Sequence, residues 1–305
     1  VDFVKSDREN LDSCGGEGGA PRGSRRMGRT GGSCLMAAGQ SPMSGICDGE
    51  SVFQGAHGDV AWSGVRLTAD VMADLADGPW AERVGDLESS AAVIEELRAL
   101  ATTEMAVETV GALLASEAEP LPWEVGEALA EVLLEHWHSV VWVWNNARDR
   151  RTRKASLPGA DLVGLSVIEG AATLLFGEVK SSSDASAPPN VVYGRSGLIQ
   201  QLERLTDKNA DHWTLIKWLR ARCSTQEHRE LYKAAASRYV QSQGRDIRLV
   251  GCLIRDTSPN ERDVSVRGAA LARTVVEPMK ALLTAWYLPV TMASWPAHVG
   301  LENSA

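Results

Sequence analysis

Asp161-Leu-Val-Gly-Leu-Ser-Val-Ile-Glu-Gly-Ala-Ala-Thr-Leu-Leu-Phe-Gly-Glu-Val-Lys180 is the stretch from which the rest of the chain is read. Two runs rich in apolar and β-branched residues, about Asp161 to Val167 and Thr173 to Lys180, flank the link Ile168-Glu-Gly-Ala-Ala172. This spacing predicts two antiparallel strands joined as a hairpin. A loop centred near Gly170 and Ala171 places Asp161 opposite Lys180. Side chains alternate along a strand, so Glu178 and Lys180 share a face. A directly opposed residue points the same way, with Cβ atoms roughly 5 Å apart across the ladder. Asp161, Glu178 and Lys180 therefore converge at one end of the hairpin. A slip of one residue in register would turn Asp161 to the other face and dissolve the group.

Working towards the N-terminus, a basic loop with Arg148, Arg150, Arg151, Arg153 and Lys154 leads into Pro158-Gly-Ala-Asp161, and Ser139-Val-Val-Trp-Val-Trp144 predicts another strand before it. Upstream the pattern is helical. Val93, Ile94, Leu97, Leu100, Met105, Val110 and Leu113 recur at three- and four-residue steps until Pro120 and Pro122 break them. Pro122 suits the first turn of a new helix through Val125, Leu129, Val132, Leu133 and Trp137. Its flank is a column of carboxylates, Glu124, Glu127, Glu131 and Glu135, for which a solvated face is the default explanation.

Towards the C-terminus, the polar loop Ser181 to Asn190 precedes helical patterns around Ser196 to Leu205, Asp211 to Arg222 and Gln226 to Gln243. A strand from Ile247 to Ile254 follows, then a helix from about Val264 to Val276; Ala281 to Val290 fits either a strand or a buried helix segment. The order α, β, β, β, α, α, α, β predicts an α/β (α+β) fold with a central mixed β-sheet flanked by helices. Three regions are expected: a flexible Gly/Ser-rich leader over 1–60, an acidic helical region over 61–120, and an α/β domain over 121–305.

Composition narrows the class. The 305 residues include 31 Lys and Arg against 40 Asp and Glu, a net charge of −9, and 44% are hydrophobic, which excludes wholesale disorder. No apolar run approaches the ~18 residues of a membrane helix. The first twenty residues hold Asp2, Lys5, Asp7, Arg8 and Glu9 without an apolar stretch behind them, so no secretory signal is expected. The five cysteines are scattered and never form Cys-x-x-Cys, which argues against a disulfide framework or a zinc ribbon. A cytoplasmic location follows as the expectation. The charge is unevenly placed: residues 61–140 carry 3 basic and 16 acidic side chains, residues 141–305 carry 22 and 16. A basic C-terminal half permits a polyanionic partner without requiring one.

Two carboxylates beside an ammonium suit phosphodiester hydrolysis, in which negative charge builds on a phosphoryl oxygen and a leaving alkoxide. Hard oxygen ligands favour Mg2+ or Mn2+. Asp161 and Glu178 are the candidate ligands, with the backbone carbonyl of Val179, and Lys180 orients or deprotonates a water or stabilises the developing charge. Glu-Val-Lys is also what an ordinary half-buried strand looks like, yet the chain has no other Asp/Glu-x-Lys triplet. Other groups are less pointed. His136 and His138 stand two apart and share no helical face, so a structural role is expected. Gly-x-Ser-x-Gly is absent. The loop from Arg148 to Lys154 either grips a phosphate backbone or is simply solvated. Gln200 and Gln201 lie in an apolar helical pattern with Ile199 and Leu202, so at least one of them is merely exposed.

A helix with Glu, a strand, Pro-x-x-Asp, a hairpin, Glu-x-Lys and a helix with Gln, in that order over roughly residues 121–256, resembles the PD-(D/E)xK nuclease superfamily. The resemblance implies a restriction-endonuclease-like core, with Glu127 as a further catalytic or metal-binding carboxylate beside Asp161, Glu178 and Lys180, and with Gln200 or Gln201 on the helix after the hairpin. Gly159 and Ala160 separate Pro158 from Asp161, a departure from the literal motif. Within the superfamily, Glu-Val-Gly-Glu127, Gly-Ala-Asp161 and Phe-Gly-Glu-Val-Lys180 look most similar to the nuclease subunit of Hachiman-type bacterial anti-phage systems. That implies a DNA nuclease working beside a separately encoded helicase subunit, and this chain has no Gly-x-x-x-x-Gly-Lys-Ser/Thr loop of its own. The alternatives are a catalytically silent nuclease-fold module that binds nucleic acid or a partner protein, and a regulatory protein whose basic face docks on an acidic one.

Overall fold

The computed structural model describes residues 49–115, 120–149, 159–207 and 210–299. Among them, seven strands form one sheet: β1 (Glu50–His57), β2 (Val60–Arg66), β3 (Val140–Val141), β4 (Leu162–Ile168), β5 (Ala171–Ser182), β6 (Ile247–Arg255) and β7 (Lys280–Tyr287). Their spatial order is β1-β2-β7-β6-β5-β4-β3. The four strands β2, β7, β6 and β5 run parallel to one another. The flanking pairs β1–β2, β5–β4 and β4–β3 are antiparallel. The sheet is therefore mixed, and helices cover it on both faces, giving the expected α/β fold.

The helices are α1 (Ala69–Ala76), α2 (Pro79–Gly85), α3 (Leu87–Leu100), α4 (Glu104–Ala115), α5 (Pro122–His138), α6 (Leu198–Thr206), α7 (Ala210–Arg222), α8 (Gln226–Gln241), α9 (Ser265–Leu271) and α10 (Trp295–His298). On one face, α1, α2, α5 and α10 pack around Trp80, Leu129, Leu133, Val179, Ile254 and Trp286. On the other, α6 to α9 cover Phe176, Leu202, Leu219, Leu253 and Leu283. A strand between two such layers must be apolar on both sides. In β6, Ile-Arg-Leu-Val-Gly-Cys-Leu-Ile-Arg, only Arg248 is not fully buried. The apolar side of α5 follows the 3.6-residue period, and truncating Leu129 or Leu133, both 0% exposed, is expected to cost about 2–5 kcal/mol.

Three expectations need correction. The hairpin link is two residues long rather than five: β4 and β5 pair from Ile168↔Ala171 to Leu162↔Gly177. Glu169 and Gly170 both take positive φ, 51° and 77°, as a tight hairpin turn that follows the strand twist requires. Continuing that register sets Asp161 opposite Glu178 instead of Lys180. The shift is two residues, an even number, so Asp161 stays on the face of Glu178 and Lys180. Second, boundaries at 60 and 120 do not divide the sheet, because β1 and β2 lie inside the stretches taken as leader and acidic region, and β2 pairs with β7 from Val60↔Ala281 to Arg66↔Tyr287. Third, the strand expected over 139–144 keeps only Val140 and Val141 in the ladder. Trp142 leaves it to donate from Nε1 to the Glu131 carbonyl at 2.9 Å. The ambiguous segment from Ala281 is the strand β7.

Candidate active site

β5 outruns β4. The β4–β5 ladder ends at Leu162↔Gly177, while β5 stays paired with β6 as far as Ser182↔Arg255. In an antiparallel ladder a residue directs its N–H and C=O to the same side, alternating along the strand. Val179 therefore aims both groups past the end of β4. Asp161, one residue before β4 begins, fills that space, and the Val179 N–H donates to Asp161 Oδ2 at 3.0 Å. On the adjoining face, Lys180 Nζ donates to Glu178 Oε2 at 3.0 Å and lies 3.5 Å from Asp161 Oδ2. The three residues predicted to meet do meet. They sit at the carboxyl ends of the parallel strands, where open α/β sheets place their ligands.

The electrostatics follow from burial. Glu178 is only 2% exposed. Desolvation pushes its carboxyl up to about 8, helped by a hydrogen bond with Asp161 and by the Asp161 charge, and opposed by Lys180. For Lys180, burial pulls the ammonium down, but the charges of Asp161 and Glu178 outweigh it and raise the pKa above the ordinary lysine value. Lys180 is therefore a firmly charged cation at neutral pH. Of the two roles read from the sequence, this favours stabilising negative charge over accepting a proton.

Two glycines leave room for the arrangement. A Cβ on Gly177 would sit 2.3 Å from the Val250 carbonyl oxygen, so only glycine lets β5 approach β6 this closely. Gly251 stands beside Glu178 in the ladder, and a Cβ there would meet Leu283 at 2.7 Å and Leu202 at 2.8 Å.

The other expected residues divide. Glu127 is half-buried on α5, which packs on the opposite face of the sheet through Val125, Leu129 and Leu133. It lines a groove with Arg83, Glu124, Glu131 and Asn146. Among the described residues no three His, Cys, Asp or Glu side chains gather as a metal-binding group, so Glu127 does not complete a triad with Asp161 and Glu178. Its neighbour Glu131 is connected to the site through Asn146. It is 4% exposed, accepts from Asn146 Nδ2 at 3.1 Å and lies 3.6 Å from Arg83, and the same Asn146 nitrogen donates to the Asp161 carbonyl at 3.4 Å. Asn146 thus ties α5 to the residue that carries the Asp161 carboxylate. Neither Glu131 nor Asn146 stands out in the sequence, because Glu131 is one of four periodic glutamates and Asn146 belongs to a plain Asn-Asn turn.

Arg148 is already engaged. Its guanidinium forms a bidentate pair with Asp86 at 2.7 and 2.8 Å and lies over the Trp144 ring, 5.0 Å from its centroid. The hydrogen bond to Asp86 raises its pKa despite partial desolvation. Arg150, Arg151, Arg153 and Lys154 fall outside the described residues. On α6, Gln200 is exposed and Gln201 half-buried, and among the described residues neither bonds to Asp161, Glu178 or Lys180. His136 and His138 pack against tryptophans, His136 on Trp137 and His138 near Trp286. Burial, with the Arg248 charge, lowers the His138 pKa to about 4, so it is neutral at physiological pH.

The donor set suits a hard divalent cation. Two carboxylates and the Val179 carbonyl are all oxygen, and Mg2+ is commonly bound through one or two carboxylates with water and substrate phosphate completing the shell. No family model and no curated protein matches the chain. The functional reading rests on side-chain geometry.

Proposed function

We propose that the chain is a metal-dependent nuclease of the PD-(D/E)xK kind that hydrolyses DNA phosphodiester bonds. The observation that carries this reading is the meeting of Asp161, Glu178 and Lys180 at the end of a hairpin on a mixed sheet, with Lys180 Nζ 3.0 and 3.5 Å from the two carboxylates. Asp161, Glu178 and the Val179 carbonyl would hold Mg2+ or Mn2+, which when bound polarises the phosphoryl oxygen and makes a bound water more acidic. The Val179 N–H fixes the Asp161 carboxylate in place. Lys180, its charge secured by both carboxylates, donates to the phosphoryl oxygen on which charge develops; losing one such donor costs roughly 100- to 1,000-fold in rate. The motif resemblance supports a setting in bacterial anti-phage defence beside a separate helicase subunit. The free thiols of Cys223 and Cys252 accord with a reducing cytoplasm, and among the described residues no helix is long and apolar enough to cross a membrane.

One observation favours a second reading, a nuclease-fold module that binds without cutting: Lys180 pairs with Asp161 while Glu178 keeps its proton at neutral pH, so the group is balanced without a metal. Incubation of supercoiled plasmid and linear duplex at low salt, with Mg2+, Mn2+ or EDTA, separates the two. The nuclease reading predicts metal-dependent cutting by the parent that is lost in folded Glu178→Ala and Lys180→Ala variants. DNA binding without cutting in either metal selects the silent module.

A further inference from the structure

We infer that the outer face of α7 is a stacking platform for single-stranded nucleic acid, built on Trp213. This rests on the nuclease reading and adds to it how the strand is presented. Trp213 is 64% exposed, an unusual placement for so large an apolar ring. Lys217, one turn on, holds its ammonium over that ring at 5.2 Å from the centroid. Arg220 continues the same stripe at i, i+4, i+7, and both cations are exposed without a carboxylate partner among the described residues. An exposed aromatic ring beside cations that no carboxylate pairs matches an unstacked base and its phosphates.

The helix that carries this stripe packs beside the segment leading to Asp161. Its inner face carries the buried Leu215 and Leu219, and a Cβ on Gly159 would lie 2.9 Å from Leu215, so α7 abuts the chain two residues before Asp161. Asp149 anchors the helix, accepting from Trp218 Nε1 at 2.6 Å and from Arg222 Nε and Nη2 at 2.7 Å each. Arg222 is thereby engaged in structure, as Arg148 is, whereas Lys217 and Arg220 are not. Residues 210–241 hold six Lys and Arg against three Asp and Glu, which favours a polyanion over a basic or purely apolar partner. Every base has a π-face, but inside a duplex both faces are covered by neighbouring pairs, so the ligand is single-stranded rather than duplex.

The test is fluorescence anisotropy in EDTA, where nothing is cut, with labelled oligo(dT), oligo(rU) and a blunt duplex. Trp213→Ala is expected to weaken single-strand binding by roughly tenfold or more, Trp213→Phe to keep most of it, and duplex binding to change by less than about twofold. Lys217→Ala is expected to make the salt dependence shallower. A loss on both oligonucleotides identifies a sugar-blind platform, and a loss on one names the strand it serves. Equal binding by Trp213→Ala and the parent, no single-strand binding by the parent, or an equal loss on duplex would overturn the inference. None of these results touches the hydrolytic reading, which is tested by metal-dependent cutting and its loss in Glu178→Ala.

Discussion

Replacing Glu178 by Gln isolates the electrostatic state of the site. The glutamine amide can donate to Asp161 while its oxygen accepts from Lys180, so it imitates a protonated Glu178 that never ionises. In the native protein burial and Asp161 raise the Glu178 carboxyl from 4.5 to about 8. A raised pKa means that the folded state keeps a proton the unfolded chain has lost throughout that interval. The parent's stability should therefore be fully present below about pH 4.5, fall by about 1.4 kcal/mol per pH unit, and level off above about pH 8. Relative to Glu178→Gln, the parent should lose several kcal/mol across the window. Urea unfolding followed by tryptophan fluorescence, in EDTA at several pH values between 5 and 9, measures the difference directly. Saturating Mn2+ should restore much of the parent's loss at high pH and leave the variant unchanged, because an ion that binds only the native state stabilises it. A stability difference that stays constant with pH, or one that favours the parent as pH rises, would refute the electrostatic reasoning.

Three further outcomes follow from the geometry. Gly177→Ala should lower the melting temperature far more than Gly251→Ala, because its Cβ would meet a backbone carbonyl at 2.3 Å whereas Gly251 faces leucine side chains that can rotate; differential scanning calorimetry compares them. Asn146→Ala should cost about 1–3 kcal/mol by removing a partner of buried Glu131, and should slow plasmid cutting more than it weakens DNA binding, since the Asp161 backbone loses its tether. Arg148→Ala should cost about 1 kcal/mol of stability yet leave the salt slope of DNA binding unchanged, because its guanidinium is already paired with Asp86.

The site was more legible in the sequence than its surroundings. Alternation along a strand fixes side-chain faces, so Asp161, Glu178 and Lys180 were brought together even though the expected loop was three residues too long; a two-residue change of register preserves the face. The first two strands escaped for a different reason. Gly55 lies in the stretch taken as leader and Gly64 in the stretch taken as acidic helix, yet each faces an aromatic ring across the hairpin: a Cβ on Gly55 would meet Trp62 at 2.6 Å, and one on Gly64 would meet Phe53 at 2.3 Å. A glycine that seats a cross-strand ring looks in sequence like one that frees the chain. Glu127 and Glu131 share one helical period, and only the packed structure shows the tie from Glu131 to Asn146. Arg148 shows the same limit, since charge is visible in the sequence but its partner, Asp86, lies 62 positions away.

The central claim is that Asp161 and Glu178 together hold a divalent cation beside Lys180. Titration of Mn2+ into the purified full chain without DNA, with free ion followed by electron paramagnetic resonance, tests this most directly. The account predicts a single class of site in the parent whose affinity falls as pH drops below about 8, where the ion must displace the Glu178 proton. It also predicts loss of that site in Asp161→Asn and in Glu178→Gln. Mn2+ uptake that is identical in the parent and both variants, or absent from the parent above pH 8, would contradict it.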